Sequence, residues 1–360
     1  CRYGPSAGMA EFRQAAADYL NDQYGYQVTA ANVIAGPGAK NFQQLFLEAF
    51  VNPDDGVLVF SPHFPTYSPN IARRGARMVL ATLREDRRFR PDPRDVQAFV
   101  DSDPSPKAVL LNTPHNPTGG VATGKDLEAI AEIIAPHDVA VFSDEPYDTM
   151  VWSGEHATPA TLPGMLARCV AAYTFSKSFS MSGWRLGFAV SSEPVIEMLA
   201  KLTNTALSCV PPFIQAAGAA ALREDLVERD RRMLEFRDRV QRLVDALDQI
   251  DGIACKMPMG SFYAFANVME ACNRLGISSH GLAMYLLEAA DDSVGVACLG
   301  GECFGSAGAG FLRFSVAEPT ERLLQATDFL NSSLRTCDRL SDFLADQPKY
   351  RLDHRYEVAR

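Results

Sequence analysis

The sequence predicts an α/β chain: a three-layer large domain built on a mostly parallel seven-stranded sheet, followed by a smaller α+β domain. Three observations carry that prediction. Seven short aliphatic runs, each bounded by turn residues, alternate with amphipathic stretches through the first part of the chain. The alternation stops near residue 218, where a long charged segment begins. The 360 residues amount to two domains at the usual ~100–200 residues each.

Taken in order, the runs fall at residues 32–35, 57–60, 77–80, 108–112, 139–143, 170–173 and 186–190. They are apolar through their length rather than alternating, as strands covered on both faces of a parallel sheet are. Helical spacing separates several of them: Phe42, Leu45, Phe46, Ala49 and Phe50 recur at i, i+3, i+4, i+7 and i+8. Helices laid on the faces of a parallel sheet are the layered arrangement that buries both patterns. From residue 223 to 247, Leu226, Met233, Phe236, Val240, Leu243 and Leu247 form one stripe among charges, which predicts a partly solvated helix linking two lobes. A Gly-containing strand at 260–265, a helix around 280–290, a strand near 294–299 and another at 310–317 follow, then helices to the end. This gives a large domain at 1–245 and a small one at 246–360.

Composition narrows the function classes. An apolar content of 47% excludes a disordered chain, and 25 Gly with 22 Pro exclude a collagen-like one. With 44 acidic against 34 basic residues the net charge is −10, the opposite of the basic surface that general nucleic-acid binding needs. No run approaches the ~18 apolar residues of a membrane span. The eight cysteines are scattered without a CxxC pair or a Cys/His cluster, so no metal site is expected, and reduced thiols in a cytoplasmic protein are. Small-molecule chemistry is the remaining class. Residue 1 is Cys rather than Met and leads straight into Tyr3-Gly4-Pro5-Ser6, from which a native start further upstream is expected.

Polar residues gather just past the predicted strands, where open α/β sheets bind their ligands. Residues 108–111 run into Asn112-Thr113-Pro114-His115-Asn116-Pro117-Thr118-Gly119, residues 139–142 into Ser143-Asp144-Glu145-Pro146-Tyr147, and residues 170–173 into Thr174-Phe175-Ser176-Lys177-Ser178-Phe179. Arg185 follows in Gly183-Trp184-Arg185-Leu186-Gly187. Each alone reads equally well as a turn, a helix start or a solvated lysine. Their order and spacing do not.

Together with Tyr3-Gly4-Pro5, Gly38-Ala39-Lys40, Pro258-x-Gly260-x-Phe262 and Phe311-Leu312-Arg313-Phe314-Ser315, these motifs resemble the class I/II aminotransferases of the fold-type I pyridoxal-phosphate enzymes, the group of aspartate aminotransferase. The match spans nearly the whole chain. The resemblance implies pyridoxal 5′-phosphate as cofactor and Lys177 as the Schiff-base lysine that also moves the substrate's Cα proton. Asp144 would pair with the pyridine nitrogen and keep it protonated. Asn116 and Tyr147 would hydrogen-bond the ring's phenolic oxygen. Phe64 matches the stacking aromatic, with His63 as a competing candidate.

For the phosphate, Gly38, Ala39 and Lys40 open a helix whose free N–H groups suit an anion, without the spacing of a Walker loop. Thr174, Ser176 and Arg185 would flank the lysine there, and Tyr3 matches a tyrosine that reaches the neighbouring subunit's phosphate, which implies a homodimer. Arg313 lies opposite Leu312, Phe314 and Val316 on an alternating strand. The resemblance makes its partner the substrate's α-carboxylate. Lys40 meets a side-chain carboxylate in some relatives; contact with phosphate or solvent is the equal alternative.

Transfer of an amino group from an L-amino acid to a 2-oxo acid is therefore the expected activity. A lyase, cyclase or cyclopropane-carboxylate synthase on the same scaffold stays open, because fold and cofactor do not fix the bond that reacts. So does an aminotransferase-like sensor domain of a transcription regulator.

Overall fold

A computed structural model describes residues 2–357; Cys1, with the expectation attached to it, lies outside the described residues. Packing divides the chain into two units. The first takes the chain up to Phe60, then Thr66–His115 and Gly120–Met233; the second takes Ser61–Pro65, Asn116–Gly119 and the chain from Leu234 on. The division falls between Met233 and Leu234, inside the long charged helix, and two short loops join the second unit.

The first unit holds strands β1 (Val33–Gly36), β2 (Gly56–Ser61), β3 (Arg77–Thr82), β4 (Pro106–Asn112), β5 (Ala140–Asp144), β6 (Cys169–Thr174) and β7 (Gly187–Val190). They form one sheet in the order β1-β7-β6-β5-β4-β2-β3, with β7 antiparallel to both neighbours and β2, β4, β5 and β6 parallel. Every residue of β1, β2, β5, β6 and β7 is buried, which is why these segments are largely apolar rather than alternating, with polar residues only at the C-terminal ends of β2, β5 and β6. Helices α1 (Ala10–Tyr24), α2 (Ala39–Phe50), α3 (Tyr67–Arg73), α4 (Pro93–Ser102), α5 (Gly124–Ile134), α6 (Glu193–Ala206), α7 (Pro212–Glu224) and α8 (Leu226–Leu247) complete the layers. Their ends carry the expected chemistry. Thr123 and Asp126 form a reciprocal capping box at the start of α5, and Asp92 with Pro93 opens α4.

The long charged helix begins later than the sequence predicts. Asp225 ends α7 through its N–H to the Ala221 carbonyl, while its own carbonyl accepts from Arg229 N and starts α8. In the second unit β8 (Tyr263–Asn267), β10 (Phe311–Ser315) and β9 (Leu299–Gly300) form a sheet in the order β8-β10-β9. Helices α9 (Met269–Leu275), α10 (Ser279–Glu288), α11 (Thr320–Ser333) and α12 (Asp338–Asp346) accompany it. The strand expected near 294–299 is reduced to β9. Gly295 packs on the Leu287 carbonyl and Val296 N donates to Leu286 O, so that stretch bonds to the end of α10 instead of a strand.

Candidate active site

Strands β5 and β6 are parallel neighbours, with Asp144 paired to Ala172, so their C-terminal ends put Asp144 and Thr174 on one edge of the sheet. Asp144 is buried, and its Oδ2 accepts a hydrogen bond from the Tyr67 hydroxyl at 2.8 Å. Burial pushes its carboxyl up to about 6; the Tyr67 hydrogen bond opposes this, the neighbouring Glu145 charge adds to it, and Lys177 and Lys40 pull it down. Lys177 stands in the turn after β6, its Nζ 5.6 Å from the centre of the Tyr147 ring. Glu145 points into the interior. It accepts from Ser143 Oγ, Thr158 Oγ1 and Tyr173 OH at 2.6–2.7 Å and contacts His156 Nε2 at 2.8 Å.

Beside them is a cradle of donors. Gly38 caps α2 at φ 93°, and a Cβ there would lie 2.8 Å from Arg185 Nη2, so only glycine lets the guanidinium close over the helix start. Arg185 donates to Pro37 O (2.7 Å), Ser182 O (2.9 Å) and Ser176 Oγ (3.4 Å), and it has no carboxylate partner among the described residues. Thr174 Oγ1 donates to Ser176 Oγ and accepts from Ser176 N. A guanidinium, two hydroxyls and the first N–H groups of a twelve-residue helix, with no acid among them, form an anion seat. Ala39 is buried at the start of that helix and Lys40 is exposed.

The second unit holds the other predicted group. Arg313, on β10, donates from Nη1 to Asn116 Oδ1 at 2.9 Å, and its Nε is buried without a hydrogen-bond partner. Phe64 is half-buried, with its carbonyl against His63 Nδ1 at 3.1 Å. Tyr3 is 87% exposed on the first unit. The structure thus assembles Gly38, Ala39, Lys40, Asp144, Tyr147, Thr174, Ser176, Lys177 and Arg185 in the first unit, and joins Asn116 to Arg313 in the second. Sequence reasoning passed over Tyr67, three residues past Phe64, and the Tyr263 ring beside Arg313.

A lysine, a buried acid and an anion seat along one edge of such a sheet meet the demands of pyridoxal phosphate, an aldehyde with a basic ring nitrogen and a phosphate, and the fold is that of the fold-type I enzymes that use it. Comparison with known proteins narrows the class. Residues 1–327 match the family model for aminotransferase class I and II, and the chain belongs to that family. It is 33% identical over 339 residues to aromatic-amino-acid aminotransferase 2 of Thermococcus litoralis, covering 92% of this chain and 84% of that one. It is 32% identical over 324 residues to an arginine–pyruvate transaminase of Pseudomonas aeruginosa, covering 90% and 80%. The crystal structure of an aromatic aminotransferase from Pyrococcus horikoshii superposes with a TM-score of 0.86 at 32% identity, covering 92% and 87%.

The protein is accordingly a pyridoxal-phosphate-dependent aminotransferase acting on amino and 2-oxo acids. The residues present fit the cofactor: the glycine cradle under Arg185 suits the phosphate, and a buried carboxyl raised to about 6 is one that a protonated ring nitrogen would hold ionised. Among the described residues no cluster of His, Cys, Asp or Glu could hold a metal ion, and no helix is long and apolar enough to cross a membrane.

Proposed function

We propose that this chain moves the amino group of an L-amino acid to a 2-oxo acid with Lys177 as the lysine that binds the cofactor and carries the proton. Bound pyridoxal phosphate supplies the electron sink that makes the substrate's Cα–H acidic. Lys177 Nζ would take that proton from Cα and give it back on the far side of the reacting nitrogen, two bonds away. Asp144 keeps a proton on the ring nitrogen, and Tyr67 holds the Asp144 carboxylate in place. Tyr147 and Asn116 donate to the phenolic oxygen, and Phe64 stacks on the ring. Gly38, Ala39, Lys40, Thr174, Ser176 and Arg185 hold the phosphate, while Arg313 takes the α-carboxylate of the amino acid in a planar, charge-assisted pair.

The observation that carries this reading is the buried Asp144 carboxyl on the same sheet edge as Lys177 and the Arg185 anion seat. Borohydride reduction of the loaded enzyme tests it. The cofactor should become covalently fixed to the peptide containing Lys177, and Lys177→Ala should lose both the label and the visible absorbance. A label on another lysine refutes the assignment.

We further propose a homodimer working in the cytoplasm. Tyr3, Trp184 and Phe213 on the first unit are 87%, 47% and 72% exposed, large rings that a second copy would cover, and Tyr3 would then reach the neighbour's phosphate. The described cysteines are free thiols, which fits a reducing compartment.

A further inference from the structure

Arg313 is held by more than Asn116. Its Cζ lies over the Tyr263 ring at 4.3 Å from the centroid and over the Phe304 ring at 4.9 Å. Both rings are themselves fixed. Tyr263 is buried in β8, two residues along from Phe265, the cross-strand partner of Arg313, so alternation brings it to the same face of the sheet. Phe304 is 1% exposed, and its carbonyl accepts from His63 N at 2.7 Å. An isolated arginine rotates about four side-chain bonds and can meet an anion from many directions. Here Nη1 is tied to Asn116, and two ring faces lie 4.3 and 4.9 Å from the guanidinium carbon. What the guanidinium still offers a ligand is N–H in its own plane.

We propose that Tyr263 and Phe304 are positioning residues that turn Arg313 into a selector for planar anions. A carboxylate lies in the plane of the fork and makes two parallel hydrogen bonds. A sulfonate carries the same single charge but is tetrahedral, and its third oxygen stands out of that plane toward the rings. The rings also attract the cation, so removing one loosens the fork and weakens its hold on the carboxylate. The inference rests on Arg313 being the carboxylate anchor, and the test separates the two ideas.

The probes are 3-phenylpropionate and 2-phenylethanesulfonate, which lack an amine and do not turn over. Their dissociation constants are measured by calorimetry on the loaded enzyme. The parent should bind the carboxylate at least tenfold more tightly than the sulfonate. Phe304→Leu and, separately, Tyr263→Leu should weaken carboxylate binding about tenfold and bring the ratio of the two constants close to one. Phe304→Tyr, which keeps the ring, should keep the ratio. Because each ring is removed in its own variant, failure of one to fold leaves the other to decide. If Arg313→Ala loses the carboxylate but both leucine variants keep the parent ratio, the selector idea falls and the anchor stands. If Arg313→Ala binds both anions like the parent, the anchor falls and the selector with it.

Discussion

Replacing Asp144 by asparagine should stabilise the protein when it is free of cofactor, and only at neutral pH. The Asp144 carboxyl ordinarily ionises at 3.8; in the folded chain burial raises that to about 6 against the pull of Tyr67, Lys177 and Lys40. A raised acid binds its proton more tightly in the folded state. Its contribution is therefore fully present below pH 3.8 and is lost as pH rises through about 6. At 1.36 kcal/mol per pH unit, the loss amounts to about 3 kcal/mol. The asparagine side chain does not titrate, and its amide oxygen can still accept from Tyr67. The assay is urea unfolding of the cofactor-free parent and Asp144→Asn proteins from pH 4 to pH 8. The variant's stability minus the parent's should grow by about 2.5 kcal/mol across that range, nearly all of it before pH 7, because part of the loss has already occurred at pH 4. A difference independent of pH would refute the claim that Asp144 is a strained buried carboxylate. With pyridoxal phosphate added the ranking should reverse, since the parent's carboxylate then gains a cationic partner.

Other positions test the remaining parts of the site. Arg313→Ala should lower kcat/KM for amino acids by an amount equivalent to about 2–5 kcal/mol, chiefly through KM, and equal losses for simple amines would contradict the carboxylate role. Gly38→Ala forces a side chain to φ 93° and to within 2.8 Å of Arg185 Nη2, so the dissociation constant for pyridoxal phosphate should rise about tenfold or more. Tyr67→Phe removes the side-chain hydroxyl that donates to Asp144, and the pH at which cofactor affinity changes should move upward by about one unit. Thr123→Ala, far from the chemistry, should cost about 1 kcal/mol of stability by opening the capping box of α5, with catalytic constants unchanged.

Much of this was legible in the sequence because it is local. Buried parallel strands advertise themselves as aliphatic runs, and ligand residues sit at their ends, so Asp144, Thr174 and Lys177 could be located by counting along the chain. The anion seat was legible because Gly38 and the start of α2 are neighbours. What escaped depends on register or on distant packing. Tyr263 meets Arg313 only because β8 and β10 pair with Phe265 opposite Arg313, and nothing in one sequence sets that pairing. Tyr67 likewise reaches Asp144 across 77 residues of chain. The strand expected at 294–299 failed for a related reason: a strand propensity is satisfied only if a partner edge is available, and α10 claims those backbone groups first.

Glu145, the acid next to Asp144, has a consequence for how this enzyme can vary. Its carboxylate is bonded to Thr158 and His156, which lie beyond the loop that follows Tyr147, so the loop is pinned at its far end to the residue beside its origin. Ser153, Gly154 and Glu155 at the tip are exposed. Insertions placed among those three residues should therefore lengthen the loop without pulling on β5, whereas a single residue inserted between Glu145 and Tyr147 shifts Tyr147 away from Asp144, which stays in β5. Diversity can accumulate at the tip while the acid and the phenol keep their places.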